Sequence, residues 1–493
     1  MNQSGEHKLI KGKTGLWQVV IGLEVHAQIK SASKLFSTAS TRFGASPNAQ
    51  VSLVDAAMPG MLPVVNRACI EQAVRTGLAL KGTVQKRSIF ARKNYFYADL
   101  PQGYQISQYE EPLVLGGEVI IDREDGTPYT IRIERLHVEQ DAGKSMHDQH
   151  PEKSCIDLNR SGIGLMEIVS KPDMRSGEEA ALYVAKLQTI LRTIGSCSGN
   201  MAEGAMRADI NLSICRPGAN FGTRTETKNV NSLRFIRQTV EYETKRQISV
   251  LESGGCIHQE TRLFDPASGT TKPMRSKEDA HDYRYFPDPD LPPLLLEQHE
   301  INDLAAQLPE LPDARRARFI KDFGLGLDHA TQLVSDPAMA DYFERAAGSD
   351  PKRAANWILS ELLGRLHKAG LELSQTKIKA EHIAQLVDLV REGVLSGRMA
   401  KDVFDQMFEN GLAPAEIVEQ QGLRQIDDND AVMKLIEQII QDNPVQCQQY
   451  LEGKEAVLGW LVGQVMKASA GSANPQIAGK LLRTRLAALA EQQ

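Results

Sequence analysis

The chain has 493 residues and a formal net charge of -6 at pH 7, so it is too long for one hydrophobic core and we expect two to four domains. The acidic balance excludes a uniformly basic nucleic-acid binder, although a local basic surface still allows RNA contact. No apolar run approaches the roughly 18 residues that span a bilayer, and the polar first 14 residues do not resemble a targeting peptide. We therefore expect a cytoplasmic protein that does not associate with membranes.

The first clear element is a predicted strand over residues 20–30. Its odd-numbered positions are apolar, whereas the even-numbered positions from 24 onward are polar. Successive side chains of a strand point to opposite faces, so Glu24 and His26 share the face away from the core. Further along, residues 92–97 place cations beside aromatic rings. This mixture suits nucleobase stacking and phosphate binding, and it equally suits a segment between core and surface.

Residues 135–145 combine an imidazole, two carboxylates, a glycine and an ammonium in one short run. If the run is extended, the imidazole and both carboxylates share one face, and Lys144 follows over a turn at the glycine. The Gly-Lys-Ser end is not a P-loop, because that loop needs a glycine where this chain has Val138. The alternative interpretation is a solvated edge strand and its loop. The residues that share the face are His137, Glu139 and Asp141.

Two later strands also have a chemically distinctive polar face. Residues 207–214 alternate so that Arg207 and Asp209 face outward, and residues 224–228 align Glu226 with Lys228. Each strand alone also fits an ordinary half-solvated antiparallel strand. If the strands are neighbours in one sheet, however, four carboxylates converge, and two carboxylates about 5 Å apart repel by roughly 3 kcal/mol at an effective dielectric of about 20. Such a cluster needs a cation or bound protons, and oxygen ligands with a single imidazole favour Mg²⁺ over structural zinc. The converging residues would be Glu24, Glu139, Asp209 and Glu226.

The order of elements predicts an α+β fold rather than a doubly wound parallel sheet. Ser176 begins a capping box ahead of a helix over residues 180–194, and Ser232 is positioned to cap a second helix. A proline-rich stretch ending at Pro293 interrupts strand and helix patterns alike and indicates the end of a first domain. From about Glu297 the apolar spacing is helical.

Several of these stretches together resemble the B subunit of the tRNA-dependent amidotransferases, the GatB/GatE family, which acts on misacylated Glu-tRNA(Gln) and Asp-tRNA(Asn). The resemblance implies three domains. The first is a cradle domain at residues 1–293, built on a mainly antiparallel sheet with flanking helices. An all-α helical domain at 294–375 and an α-helical YqeY-like tail domain at 376–493 follow. The matching stretches are residues 20–26, 93–97, 105–108, 135–144, 157–160, 167–169, 228–232, 282–287 and 463–476.

The resemblance also implies the reaction and the partners. In the family, an amidase-like A subunit releases ammonia from glutamine, and a small C subunit joins it to the B subunit in a heterotrimer. The B subunit uses ATP and Mg²⁺ to phosphorylate the side-chain carboxylate of the tRNA-bound Glu or Asp, and ammonia displaces the phosphate. This is a ligase reaction that forms a carbon–nitrogen bond with glutamine as amido donor. The helical and tail domains would hold the misacylated tRNA.

Site residues follow from the resemblance and from the strand faces together. The division of the cations between ATP and the ammonia path stays open, and so does a proton-relay role for the carboxylates of Asp141, Glu167 and Asp209. A zinc-binding cysteine cluster occurs in part of the family, but residues 37–48 here contain no cysteine, so we predict no zinc. The predicted catalytic residues are Lys93, Glu139, Lys144, Asp209 and Lys228. The predicted cofactor-binding residues are Arg207, Lys228 and Asn229. The predicted metal ligands are Glu24, His26, Glu139 and Glu226.

Two other functions are less compatible with the sequence. A non-catalytic RNA-binding or scaffold subunit would favour Lys and Arg on the polar sheet face, whereas acidic residues align with His26. A free-standing aminoacyl-tRNA synthetase is suggested by residues 272–277, but the chain lacks the HIGH motif and a Rossmann-like opening.

Overall fold

A computed structural model describes residues 9–147, 149–274, 283–423, 429–469, 473 and 475–490. The chain divides into two compact units, Met1–Pro312 and Asp313–Gln493. Leu304 and Leu308 pack against the first hydrophobic core, and the division into three domains at residues 293 and 375 stays a prediction. Within the described residues, every helix is too short or too polar to cross a bilayer.

The first unit is built on strands, and most of them join one large sheet. The strands are β1 Ile10–Gly12, β2 Gly15–Gln28, β3 Thr83–Val84, β4 Arg87–Ser88, β5 Ala91–Asn94, β6 Tyr104–Ser107, β7 Val114–Leu115, β8 Glu118–Asp122, β9 Pro128–Gln140, β10 Lys144–Met146, β11 Cys155–Asp157, β12 Gly164–Ser170, β13 Met206–Cys215, β14 Thr225–Val230, β15 Thr261–Asp265, β16 Thr270–Pro273, β17 Phe286–Pro287 and β18 Leu294–Leu295. The strands predicted over residues 20–30, 207–214 and 224–228 correspond to β2, β13 and β14.

The large sheet has the order β16-β15-β14-β13-β2-β12-β9-β7-β3, with β1 paired to β2 and β8 paired to β9. Neighbours are antiparallel except for the parallel pair of β14 and β15. The predicted α+β class with a mainly antiparallel sheet is therefore confirmed. A small three-stranded sheet, β17-β5-β6, and two two-stranded sheets, β10-β11 and β18-β4, lie outside it.

The helices of the first unit pack against the apolar face of the large sheet. The helices of the first unit are α1 Arg67–Ala79, α2 Gly177–Thr193, α3 Leu233–Glu252 and α4 Gln298–Ala306. Both serine caps are confirmed: the side chain of Ser176 accepts a hydrogen bond from the amide of Glu179, and that of Ser232 accepts one from Phe235. The predicted capping box is not complete, because the Glu179 side chain accepts from the amide of Arg175 rather than that of Ser176. The helices pack with the apolar faces of β2 and β13 in one core. Polar residues that alternate with those apolar positions therefore face the opposite side.

The second unit is helical, as predicted. It contains α5 Pro312–Phe323, α6 Leu327–Val334, α7 Pro337–Ala346, α8 Pro351–Asn356, α9 Leu363–Ala369, α10 Ala380–Arg391, α11 Gly397–Asn410, α12 Pro414–Gln421, α13 Asn429–Asp442, α14 Pro444–Leu451, α15 Ala456–Ala468 and α16 Pro475–Ala490, with a π-helical segment at Trp357–Leu362 and a 3₁₀ turn at Leu373–Gln375. Two separate hydrophobic clusters form, one from residues 319–417 and one from residues 432–486.

Candidate functional site

A row of polar side chains crosses four neighbouring strands of the large sheet. In the register of β9, β12, β2 and β13, His137 lies opposite Glu167, Glu167 lies opposite His26, and His26 lies opposite Arg207. Directly paired residues of antiparallel strands point to the same face. The fold thus assembles on one face an imidazole, a carboxylate, a second imidazole and a guanidinium that are far apart in sequence.

Glu139 joins the row and makes a compact cluster of two imidazoles and two carboxylates. His26 Nε2 lies 3.5 Å from Glu139 Oε1 and 3.4 Å from Glu167 Oε2. His137 Nε2 lies 3.2 Å from Glu167 Oε2 and 3.6 Å from Glu139 Oε2. The hydroxyl of Ser107, on the small sheet, donates a hydrogen bond of 3.1 Å to Glu139 Oε2.

Burial and mutual attraction shift the protonation of this cluster. Burial opposes the charge of His137, but the carboxylates of Glu167 and Glu139 outweigh it and raise the pKa of the imidazole to about 9. The pKa of His26 is raised in the same way, against its burial, chiefly by Glu167. Burial alone would raise the carboxyl pKa values, yet the imidazoles hold the pKa of Glu139 low and that of Glu167 lower still. The carboxylates are therefore ionised when the cluster holds no cation.

The donor set of this cluster fits a divalent cation. Ligand atoms of His26, Glu139 and Glu167 all lie within 4.8 Å of one another. Two ionised carboxylates are ligands that Mg²⁺ or Mn²⁺ accepts, and His26 can join them once its Nε2 has lost its proton, because a ligating imidazole must be neutral. Glu139 and Glu167 are buried, so water reaches them poorly and the attraction for a cation is screened less than at the surface.

Two of the predicted metal ligands, Glu24 and Glu226, lie near the cluster but have other partners. Glu24 accepts a hydrogen bond of 2.9 Å from the amide of Asn211, and its pKa is raised by burial and then by repulsion from Glu167 and Glu226. Glu226 lies 2.7 Å from Lys228 Nζ and accepts a hydrogen bond from the Thr261 hydroxyl. The structure thus unites His26 with Glu139, as predicted, and sets the other two beside them.

A cavity of about 860 Å³ opens over the cluster. Every predicted catalytic and cofactor-binding residue lines this cavity, as does His26. The cationic side chains around it are Arg42, Lys93, Lys144, Arg160, Arg207 and Lys228.

Acidic neighbours hold several of these cations in place. Lys228 Nζ lies 3.0 Å from Asp209 Oδ2, and Arg207 lies 2.9 Å from Asp141 Oδ1. Asp141 raises the pKa of Arg207 most strongly. Burial disfavours the charge of Lys93, but the field of Glu139 outweighs it and raises the pKa of the ammonium. These groups therefore stay positively charged beside the cluster over the physiological range.

Asn229 differs from the cations in that its side chain makes a hydrogen bond to the backbone of a neighbouring strand. It has a left-handed backbone, with φ of 67°, near the point where the register of β13 and β14 shifts. Its side-chain amide donates to the carbonyl of Phe264 at 3.1 Å. The side chain therefore anchors β14 to β15 beside the cavity, next to Lys228.

Glu167 was predicted only as a possible proton relay and not as a metal ligand, and Arg160 was not predicted as a site residue, although both lie in stretches that carry the family resemblance. Glu167 sits in β12, where nearly every side chain is buried, so the alternation that singled out β2 and β13 is missing there. Arg160 lies 3.4 Å from Asp141 and donates to the carbonyls of Ala142 and Gly143. A basic residue in a loop has no periodicity, so only the motif itself could have identified it.

A buried cluster of carboxylates and imidazoles on a sheet face, beneath a cavity ringed by cations, is typical of enzyme sites that act on anionic substrates. Comparisons with known proteins make the class specific. A family model described as the GatB/GatE catalytic domain matches residues 19–302, and a model described as the GatB domain matches residues 341–486.

Full-length relatives agree with the two models. The chain is 58% identical over 480 residues to a protein of Methylorubrum populi, covering 97% of this chain and 98% of the relative. It is 57% identical over 485 residues to a protein of Sinorhizobium medicae, covering 97% of each. Both are named as the B subunit of an aspartyl/glutamyl-tRNA(Asn/Gln) amidotransferase. The chain belongs to the GatB/GatE family of amidotransferase B subunits.

Proposed function

We propose that this chain is the component of a tRNA-dependent amidotransferase that activates the side-chain carboxylate of Glu-tRNA(Gln) or Asp-tRNA(Asn) with ATP and then forms the amide. The observation that supports this most directly is the His26, Glu139 and Glu167 cluster beneath a cavity that six cations line. The names of the full-length relatives agree with it. ATP and the aminoacyl-tRNA are substrates of the reaction, and Mg²⁺ is the proposed resident metal.

The first step must bring two anions together. A carboxylate oxygen of the aminoacyl group attacks the γ-phosphorus of ATP, and ADP leaves. Mg²⁺ held by His26, Glu139 and Glu167 would neutralise part of the developing charge. Arg207 and Lys228 have fixed positions, because Asp141 and Asp209 pair with them, and they supply preorganised positive charge beside the metal ligands. Lys93, Lys144 and Arg160 extend this positive charge along the cavity.

The second step replaces phosphate by nitrogen. Ammonia attacks the acyl carbon, phosphate leaves with the bonding electron pair, and the nitrogen loses a proton to form the amide. Ammonia arriving as ammonium must first lose another proton, so a carboxylate base is required. Asp209 and Asp141 line the cavity and are candidates for this role. The side chains of Gln105 and Tyr95, which also line the cavity, share a hydrogen bond of 3.2 Å.

The partners follow from the same proposal. A glutaminase A subunit supplies ammonia and a small C subunit completes a heterotrimer in the cytoplasm, while the second unit, divided into a helical and a YqeY-like tail domain, holds the tRNA. The tail helices carry several basic side chains that suit contacts with tRNA phosphates. These residues are Lys467, Lys480, Arg483 and Arg485.

An ammonium-dependent assay tests the proposal without the glutaminase step. The purified complex, with the A-subunit nucleophile disabled, is given ATP, Mg²⁺, ammonium and labelled Glu-tRNA(Gln), and the product Gln-tRNA is measured. We expect product with the wild-type chain and a loss of about 10²-fold or more with Glu139→Ala. Glu134→Gln is the matched control, because Glu134 lies on the same strand and pairs instead with Lys171.

The expected result separates the cluster from the rest of the strand. Retained activity in Glu134→Gln together with lost activity in Glu139→Ala supports the assignment. Full activity in a folded Glu24→Ala/Glu139→Ala chain contradicts the metal site, and failure of the wild-type complex to form Gln-tRNA or Asn-tRNA contradicts the function.

A further inference from the structure

His137 belongs to the cluster but differs from His26 in its relation to the ligand atoms. Its imidazole contacts both Glu139 and Glu167, yet the set of ligand atoms that lie within 4.8 Å of one another contains His26, Glu139 and Glu167 without it. His137 is thus close to the same two carboxylates but is not a member of the set of ligand atoms that lie within 4.8 Å of one another.

The two oxygens of Glu139 have different neighbours. Oε1 faces His26 at 3.5 Å. Oε2 accepts from the Ser107 hydroxyl at 3.1 Å and lies 3.6 Å from His137 Nε2. Oε2 therefore has two neighbouring donor groups, the Ser107 hydroxyl and His137 Nε2, whereas Oε1 faces His26.

We infer that His137 is a positioning residue for the proposed metal site: it contacts the carboxylates of Glu139 and Glu167 and fixes their orientation, and it does not ligate the ion. The inference rests on the metal site of the proposed function. Groups that hydrogen-bond to ligating carboxylates fix their geometry, and their loss typically weakens metal binding about 10–100-fold.

The surroundings of the ring support this role. His137 is 4% exposed, so its imidazole does not reach bulk water. Its Nδ1 is buried and has no hydrogen-bond partner among the described residues. The polar contacts that hold the ring in place are therefore those of Nε2 with the two glutamates.

Manganese binding to the full chain tests the inference without any turnover. We expect His137→Leu to raise the Kd for Mn²⁺, measured by isothermal titration calorimetry, about 10–100-fold. His137→Gln retains an N–H donor of similar reach, and we expect its Kd to stay near the wild-type value. Ser107→Ala removes the other donor to Glu139 Oε2 and is expected to weaken binding in the same direction. Thermal unfolding of each variant confirms that it is folded.

Pulsed electron paramagnetic resonance of the bound Mn²⁺ separates positioning from ligation. We expect coupling to one imidazole nitrogen, lost in His26→Gln and kept in His137→Leu. Two imidazole couplings in the wild type would make His137 a ligand and overturn the inference, as would an unchanged Kd in a folded His137→Leu chain. Binding with no imidazole coupling at all would overturn the proposed metal site itself, so the two failures are distinguishable.

Discussion

The buried ion pair of Lys34 and Asp55 gives the strongest prediction about stability. Lys34 is 0% exposed, and its ammonium lies 3.0 Å from Asp55 Oδ2 and 3.3 Å from the carbonyl of Leu158. Asp55 also accepts hydrogen bonds from the Ser37 hydroxyl and the Ser52 amide. Lys34 and Asp55 flank in sequence the loop that supplies residues 41–45 and 50 to the cavity wall, so loss of the pair should affect stability and the site together.

The magnitude follows from what each substitution leaves behind. Lys34→Met leaves a buried carboxylate with two remaining donors, and removing one partner of a buried pair costs about 3–5 kcal/mol. Asp55→Leu leaves a buried ammonium, which escapes by losing its proton. Burial already lowers the pKa of Lys34 from 10.5, against the attraction of Asp55. Neutralising an ordinary lysine at pH 7 costs about 5 kcal/mol, at roughly 1.4 kcal/mol per pH unit, which sets an upper limit for this variant.

The stability of the Asp55→Leu variant should also depend on pH. If Asp55→Leu holds Lys34 neutral when folded, the unfolded chain binds one more proton, so stability rises with pH. Its cost relative to wild type should fall by about 3 kcal/mol between pH 7 and pH 9. The double variant Lys34→Met/Asp55→Leu buries no charge, and we expect it to recover to within about 1–2 kcal/mol of wild type.

Urea unfolding measures these effects. The chain has three tryptophans, of which Trp17 is buried in the first unit; a Trp357→Phe/Trp460→Phe background lets its fluorescence report that unit. If the costs of the two single variants simply add in the double variant, the pair is not coupled and the reasoning is refuted. The same conclusion follows if Asp55→Leu shows no change in its cost with pH.

Three further predictions test the surroundings of the site. Gly162→Ala should lower the free energy of unfolding in urea more than Gly218→Ala does. Both glycines have a left-handed φ, so the backbone strain is similar in the two variants. A Cβ at Gly162 would lie 2.6 Å from Asp55 Oδ1, whereas a Cβ at Gly218 meets nothing within 4 Å. The pKa of buried Glu243 is held low, against its burial, by Arg246, Thr271 and Arg262. The stability that the Glu243 carboxylate contributes is therefore complete above pH 4.5 and is lost as the pH falls. Glu243→Gln should cost about 3 kcal/mol of unfolding free energy at pH 7 and should flatten the dependence of that free energy on pH below 4.5. The exposed thiol of Cys256 should react with a thiol reagent before Cys69 and Cys197, whose pKa values burial raises to about 11, as mass spectrometry of the labelled sites would show.

The parts of the site that could be predicted from the sequence lie in strands with one solvated face. Apolar and polar residues alternate in β2 and β13 because helices cover one face of the sheet and the cavity opens on the other. This period of two was enough to identify His26, Asp209 and Arg207 from the sequence. Glu24 and Glu226 were grouped with the metal ligands because of the same alternation. Alternation predicts which face of the sheet a side chain lies on, but not which side chains on that face are neighbours. The register places Glu24 opposite Asp209 and Glu226 opposite Asn211, in separate rows close to the one that pairs His26 with Glu167.

Glu167 could not be found in this way, for a physical reason. β12 lies between β2 and β9 in the sheet, and its side chains are buried on both faces. A strand buried on both faces reads as a continuous apolar run rather than an alternating one, and the pairing of Glu167 with His26 joins residues that are remote in sequence. Only the topology of the sheet reveals that this carboxylate completes the cluster.

The charge balance of the cavity leads to a last prediction. Six cationic and five acidic side chains line it, and Lys228 and Arg207 are already paired with Asp209 and Asp141. The lining by itself is therefore nearly neutral when His26 is left out, and it attracts a triphosphate only weakly. A divalent cation in the cluster changes the balance, because bound ions are often the largest local charges in a site.

We therefore expect ATP to bind the full chain at least about tenfold more tightly with Mg²⁺ than with EDTA, a difference of about 1.4 kcal/mol. Glu167→Gln should reduce this difference, because it removes one ionised ligand of the proposed ion while leaving every cation that lines the cavity. Lys144→Met, at the exposed rim, should weaken binding to a similar degree with and without Mg²⁺, since it acts on the phosphate directly. Equal affinity for ATP in Mg²⁺ and in EDTA would show that the side-chain cations suffice and that the cluster does not take part in nucleotide binding.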